Sequence, residues 1–169
     1  PTSSTTAQLV MGDALAVALI ECRNFTAHDF ARFHPGGALG KQLYMRVDDL
    51  YKQNERPLVH PHTSLQDTIL EMTSKRLGCT IVVDHNQTIQ GIITDGDLRR
   101  MLKTHPDISS LTASHIMNPN PKKILNNEFA VNALNIMRAN AITQLIVVNS
   151  QEQYLGVVHL HDLLREGII

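Results

Sequence analysis

The 169-residue sequence has no tryptophan, and aromatic residues make up only 4% of it. Aromatic platforms for stacking bases are therefore scarce, and so are faces for sugar rings. Two cysteines, Cys22 and Cys79, are too few for a disulfide framework and fit a reducing cytosol. An excess of one charge is also lacking: 15 Lys and Arg stand against 16 Asp and Glu, a formal net charge of −1. A general nucleic-acid binder needs surplus positive charge against phosphate, so that class is excluded. No uninterrupted apolar run reaches the ~18 residues of a membrane span. The apolar stretch over residues 14–20 lacks a basic flank and a cleavage site, so it does not read as a signal peptide. What is present is a 43% apolar fraction, enough to bury a core. The expectation is a cytoplasmic α/β (α+β) protein that needs neither nucleic acid nor membrane.

The first forty residues do not look self-sufficient. The Ser/Thr-rich start, residues 1–6, offers several N-cap residues, and residues 7–23 then read as one helix. Apolar side chains surround its axis, with Gln8, Asp13, Glu21 and Arg23 as the clearly polar exceptions. Such a helix needs burial against several neighbours, yet the pattern shows one more short helix, residues 26–33. Thr26 and Asp29 have the spacing of a capping box there. The sequence also opens on proline. The expectation is that residues 1–43 are the last part of a larger domain. The run from His34 through Pro35, Gly36 and Gly37 to Gly40 ends the second helix. Its histidine either caps locally or presents an imidazole as a general acid or base.

The remainder is an internal repeat. Met72 and Met137 lie 65 positions apart (137 − 72), and Gly91/Gly156, Asp97/Asp162 and Arg100/Arg165 keep the same offset. So do Ile81-Val82-Val83 and Ile146-Val147-Val148. Each copy reads as a lead-in helix (47–51; 111–117) and a brief strand (58–60; 123–125), then an amphipathic helix. Two strands joined by a polar turn follow (80–84 with 89–94; 145–149 with 154–159), and a last helix closes the copy. One β-α-β-β-α unit of ~55 residues is marginal alone, so two are expected to pack their sheets and leave two related clefts. Nine histidines raise the question of metal. His60/His62 and His159/His161 share i, i+2 spacing, but zinc sites draw on three or four converging ligands, and no metal or other cofactor is expected. The Lys122-Lys123 pair and the Arg99–Lys103 cluster read as solvated faces, with Arg99 the one placed to approach a cleft phosphate.

The segment Gly91-Ile92-Ile93-Thr94-Asp95-Gly96-Asp97-Leu98, echoed by Gly156-Val157-Val158-His159-Leu160-His161-Asp162-Leu163, resembles the third strand and second helix of a CBS domain. Two copies resemble a tandem CBS pair, or Bateman module, with domains at 44–104 and 111–169. The resemblance implies clefts that bind adenosine-type nucleotides or related effectors. It assigns Thr94 and Asp97 to one cleft, and His159 and Asp162 to the other, with Thr63 as a further contributor. A carboxylate matches a ribose diol as a two-oxygen acceptor, and a helix N-terminus favours phosphate. His159 departs from the Thr or Ser of the family and suits phosphate only when protonated. Against this stands a simpler role for Asp97 and Asp162 as helix caps.

Read with the CBS pair, three segments resemble the end of the sugar isomerase (SIS) domain of bacterial D-arabinose 5-phosphate isomerases. They are residues 1–6, Gly12-Asp13-Ala14-Leu15-Ala16, and His34-Pro35-Gly36-Gly37-Ala38-Leu39-Gly40. That family interconverts D-ribulose 5-phosphate and D-arabinose 5-phosphate for Kdo, hence lipopolysaccharide or capsule. The proton moves between C1 and C2 through an enediol, which needs acid/base groups but no cofactor. The resemblance makes His34 a catalytic residue and implies a homo-oligomer, a dimer of CBS pairs within a tetramer. It also implies an effector such as an adenine nucleotide or CMP-Kdo. The family's phosphate loop and remaining catalytic groups have no counterpart in these residues, so the chain alone is expected to be inactive. The other reading is a CBS dimerisation module with empty clefts.

Overall fold

The computed structural model describes residues 2–34, 36–104, 108 and 110–168, with residue 38 as backbone only. Pro1 and Pro35, both used in the motifs above, lie outside the described residues. The chain divides into two compact units, Pro1–Tyr44 and Met45–Ile169.

The first unit contains helices α1 (Thr2–Cys22), α2 (Ala27–Phe33) and α3 (Ala38–Tyr44). Helix α1 starts earlier than the capping argument placed it. The Thr5 and Thr6 hydroxyls donate back to the Thr2 carbonyl at 3.0 and 2.9 Å, so the Ser/Thr cluster is the first turn itself. With those residues included, α1 has 21 residues and is long and apolar enough to cross a membrane by length and composition. That corrects the expectation from uninterrupted apolar runs, because mildly polar Thr, Ser and Gly positions complete the length. A buried core helix has the same composition, and Asp13 at its middle would cost about 2.5–3.5 kcal/mol in a bilayer. None of its described side chains is buried. Thr26 caps α2 as expected, accepting from the Asp29 amide at 3.2 Å while the Asp29 carboxylate takes the Thr26 amide at 3.0 Å. Helix α3 falls where the sequence had read only a glycine-rich loop. Leu39, Lys41, Gln42 and Leu43 are strong helix formers that outweigh Gly40, and the Tyr44 hydroxyl ties the helix to the His28 carbonyl at 3.3 Å.

The second unit is two copies of one plan. The first runs α4 (Asp48–Tyr51), β1 (Leu58–Val59), α5 (Leu65–Lys75), β2 (Cys79–Val83), β3 (Ile89–Thr94) and α6 (Asp95–Thr104). The second runs α7 (Ala113–Ile116), β4 (Lys123–Leu125), α8 (Ala130–Asn140), β5 (Gln144–Val148), β6 (Tyr154–His159) and α9 (Leu160–Arg165). Each copy forms a three-stranded sheet, ordered β1-β2-β3 or β4-β5-β6, with a parallel and then an antiparallel pairing. The irregularities recur at the same offset. The register shifts at Val82/Val83 and at Val147/Val148. Left-handed backbone occurs at Arg76 and Ala141, which end α5 and α8, and again at Gln87 and Glu152.

Alternation along β2 divides the core. Cys79, Ile81 and Val83 face the partner sheet and pack with Ile146, Val148, Tyr154 and Val157. Val82 lies in the separate cluster of Val59, Met72, Ile93 and Ala113. Ala113 comes from α7, the lead-in helix of the other copy. Val47 ahead of α4 and Leu50 within it likewise join the core of the second copy, next to Ile124, Leu134 and Met137. The lead-in helices are thus exchanged between copies, an arrangement the linear pattern did not reveal. Backbone bonds hold the exchange: Val47 N–H to Glu128 O at 2.9 Å, and Ala113 N–H to Thr63 O at 2.9 Å. A four-residue helix has no core of its own and takes the nearest apolar groove.

Candidate functional site

The β3–α6 junction of the first copy carries Thr94 and Asp97. Thr94 ends the strand, and Asp97 turns back from the first turn of the helix to close it. Its Oδ2 accepts from the Thr94 amide at 2.8 Å and from the Thr94 hydroxyl at 2.6 Å, while Oδ1 accepts from Arg100 at 2.6 Å. The capping role is therefore real, and the free acceptor capacity lies on Oδ1. The Arg100 side chain is 73% exposed and can leave it without breaking a packed contact.

A cleft of about 280 Å³ opens beside this junction. One wall is Ile92, Thr94, Asp97 and Arg100 of the first copy. The other comes from the second copy: Asn118, Asn120 and Lys122 ahead of β4, and, where α8 gives way to β5, Asn140, Ile142 and Gln144. The chain at Asn118 is fixed by paired bonds with Ile92, N–H to O at 3.0 Å one way and 2.8 Å the other. Gly91 permits that approach, because a Cβ there would stand 2.7 Å from the Asn118 carbonyl oxygen. The arrangement offers a carboxylate, a hydroxyl, two cationic side chains and four amides around one volume. These groups match a polyhydroxylated, phosphorylated ligand with a hydrogen-bonding base. Arg100 lines the cleft and the exposed Arg99 does not, which corrects the sequence expectation. Lys122 also lines it rather than lying on a plain solvated face. The amides were not foreseen, since they enter only once the second copy is folded against the first.

The symmetry-related junction is built differently. Asp162 is buried, and its Oδ2 accepts from the His159 amide at 2.9 Å and from Asn54 Nδ2 at 2.6 Å. Its Oδ1 accepts from Arg165 at 3.3 Å. His159 caps α9, its Nδ1 accepting from the His161 amide at 3.1 Å. Burial, and then the neighbouring His161, push the His159 pKa down, outweighing the Asp162 carboxylate. The neutral ring is favoured, which works against the protonated form that phosphate binding there requires.

The other predicted residues lie apart. Thr63 accepts from the His60 amide at 3.0 Å in the turn before α5 and does not line the 280 Å³ cleft. His34 belongs to the first unit, where it ends α2, donates its amide to the Phe30 carbonyl at 3.1 Å and lies against the Phe30 ring. His60 stacks on His85 with ring centroids 5.4 Å apart, not with His62. Among the described residues no three metal-ligating side chains converge.

The fold is thus two packed β-α-β-β-α copies with exchanged lead-in helices and an open cleft at the Thr94–Asp97 junction. The CBS domain family model matches residues 47–104 and 113–168, and the chain belongs to the CBS domain family. Over its whole length it is 50% identical to arabinose 5-phosphate isomerase KdsD of Salmonella typhi, across 170 aligned residues that are 52% of that protein. The chain thus spans about half the length of the curated relatives it matches. Among solved structures it resembles the CBS domain protein of Pyrobaculum aerophilum complexed with AMP: TM-score 0.64, 21% identity, 70% of this chain and 90% of that one. It also resembles a CBS domain pair in complex with 5-methylthioadenosine and S-adenosyl-L-methionine: TM-score 0.64, 21% identity, 72% of this chain and 94% of that one. At those identities the likeness is one of fold.

Proposed function

We propose that this CBS pair is the effector-binding part of a D-arabinose 5-phosphate isomerase, and that the cleft at Thr94 and Asp97 takes an adenosine-type nucleotide. The observation that carries the reading is the grouping of Asp97, Thr94, Arg100 and Lys122 around one 280 Å³ volume. In the bound state the Asp97 carboxylate accepts a ribose hydroxyl on Oδ1. Arg100 turns from Asp97 to phosphate, and the cleft amides address the base edge. The neighbours complexed with AMP or with S-adenosyl-L-methionine support that ligand class, and the KdsD relatives support the enzyme. CMP-Kdo is a second effector of matching chemistry, carrying a ribose diol, a phosphate and a base.

In the intact enzyme, residues 1–43 form the end of a sugar isomerase domain. There His34 acts as an acid or base while a proton moves between C1 and C2 of the phosphosugar through an enediol. The mechanism uses no metal or cofactor. The 169 residues alone lack the phosphate anchor and the remaining acid/base groups, so they are inactive in a coupled isomerase assay. The intact protein is a cytoplasmic homo-oligomer, a tetramer joined through CBS dimers, with no nucleic-acid or membrane partner.

The test is a thermal-shift titration with AMP, ADP, ATP, CMP-Kdo and arabinose 5-phosphate. A ligand at ~100 times its Kd stabilises the fold by roughly 2.7 kcal/mol. A shift that Asp97→Ala abolishes supports the reading. No shift with any of them favours the second reading, a dimerisation module with empty clefts. That reading draws on the hydrogen bonds Asp97 already accepts within its own helix cap.

A further inference from the structure

Ahead of the strands the two copies correspond at an offset of 66, because Val47 N–H to Glu128 O is matched by Ala113 N–H to Thr63 O and the Arg46–Phe129 bridge by Thr112–Ser64, so the two clefts can be compared. At the open cleft the chain leaves α7 in extended form, Met117 having φ −66° and ψ 146°. Pro119 keeps the chain from turning back into helix, since it drives the preceding residue, Asn118, out of helical geometry. Asn118 therefore pairs with Ile92 by backbone alone. Met117 over Gly91 corresponds to Tyr51 over Gly156 in the first copy (117 − 66), and there the chain does the opposite. Lys52 stays helical at φ −65° and ψ −17°, and a further turn follows, with Gln53 N–H to Leu50 O at 3.1 Å and Asn54 N–H to Tyr51 O at 3.0 Å. That turn carries the Asn54 side chain inward. Its amide nitrogen donates to Asp162 Oδ2 at 2.6 Å and to the Val157 carbonyl at 3.1 Å.

The need for this donor also comes from the sequence. In the first copy the Thr94 hydroxyl satisfies the Asp97 carboxylate. The second copy has His159 in that place, with no hydroxyl to give. A buried carboxylate lacking one donor is costly, and Asn54 supplies the missing bond. The neighbours of Asn54 fasten the segment on both sides. Gln53 accepts from Arg165 at 3.1 Å, Glu55 pairs with Lys75 at 3.0 Å, and Arg56 donates to the Tyr154 carbonyl at 2.6 Å. The Pro57 carbonyl accepts from the Tyr154 hydroxyl at 2.8 Å. Tyr51 covers the floor, its Cδ2 standing 2.7 Å from where a Gly156 Cβ would be.

We infer that residues 51–57 form a built-in strap over the second cleft, with Asn54 occupying the Asp162 carboxylate in place of a ligand hydroxyl. The pair therefore has one working cleft per chain. The strap stands on its own geometry; the count of ligands rests on the nucleotide reading above. Two measurements on the 169-residue chain separate them. In the free, 15N-labelled protein, the Asn54 side-chain amide protons should exchange roughly 100-fold more slowly than those of exposed Asn86, reflecting opening against a closed strap. Calorimetric titration with AMP should give one equivalent for the wild type and none for Asp97→Ala. Asn54→Ala should gain a second, weaker equivalent. An Asn54 amide exchanging as fast as that of Asn86, or two equivalents in the wild type, overturns the strap. A protected amide with no AMP binding upholds the strap while defeating the nucleotide reading. If Asn54→Ala does not fold, the exchange rate and the wild-type stoichiometry still decide.

Discussion

Raising the pH above 9 should weaken the second unit through one thiol. Cys79 sits between the two sheets, packed with Ile81, Val83 and Ile146 and fully shielded from solvent. Burial, with a smaller push from the Asp95 carboxylate, raises its pKa from 9.0 to about 12. In the unfolded chain the thiol ionises near its ordinary value; in the folded chain it keeps its proton. Stability from this group is thus complete below pH 9 and is lost as the pH climbs, because only the unfolded state gains by deprotonating. The slope is about 1.4 kcal/mol per pH unit, or roughly 2.7 kcal/mol by pH 11. Tyr154 acts in the same direction from about pH 10 upward, its pKa raised by burial while its hydroxyl donates to the Pro57 carbonyl. The assay is urea unfolding followed by circular dichroism at pH 8, 9 and 10, for the wild type and Cys79→Ala. Removing the sulfur leaves a small cavity and costs the variant about 1 kcal/mol at pH 8. By pH 10 that deficit should have vanished, since the variant has no thiol to ionise. A deficit that stays constant from pH 8 to 10 refutes the argument.

Three further outcomes follow from single atoms. The Thr80 hydroxyl is buried and, among the described residues, has no hydrogen-bond partner. Thr80→Val should raise stability by about 1 kcal/mol in the same denaturation assay. Ala141 ends α8 in left-handed backbone at φ 52°, a conformation that glycine adopts without a Cβ clash. Ala141→Gly should therefore stabilise by roughly 0.5–1 kcal/mol, whereas Gly at a right-handed helix position would destabilise. Gly91→Ala places a methyl 2.7 Å from the Asn118 carbonyl oxygen. It should cost about 1–3 kcal/mol and loosen AMP binding more than folding, because the Ile92–Asn118 pair shapes the open cleft.

Much of the second unit was legible because its signals are periodic. The bounds expected for β3, β4 and β6 match the observed strands, and the recurrent Asp of each copy sits in the first turn of its last helix. The exchange of lead-in helices was not legible. Residues 47–51 read as a lead-in helix, but that reading does not say which copy will cover Val47 and Leu50. Helix α3 was hidden by Gly40, a residue that marks a loop as readily as it tolerates a helix. The amides of the open cleft were equally hidden, since Asn118, Asn120, Asn140 and Gln144 are remote in sequence from Asp97 and carry no motif. Arg99 and Arg100 are neighbours on α6, and a shift of one residue rotates a side chain by ~100°, enough to exchange a cleft for solvent.

The contrast between the clefts shows how a duplicated fold becomes chemically unequal without changing its backbone plan. Sheets, register shifts and left-handed helix ends all recur at the repeat offset, so the difference lies in the caps of the last helices and in the segment ahead of each first strand. Two features suffice. Thr94 against His159 decides whether the carboxylate at the helix start is satisfied locally. The link from Tyr51 to Leu58, one residue longer than the link from Met117 to Lys123, decides whether the segment turns inward or runs extended. The two changes are complementary: losing the hydroxyl creates a need for a donor, and the extra turn lets a donor reach it. Either change alone would be costly, since a second cleft with His159 and an extended link would leave Asp162 short of a partner. An Asn54-type turn beside a threonine would crowd two donors onto one oxygen. The pairing explains why Asp162 is almost wholly enclosed, while the Asp97 side chain stays 14% exposed at the rim of the open cleft.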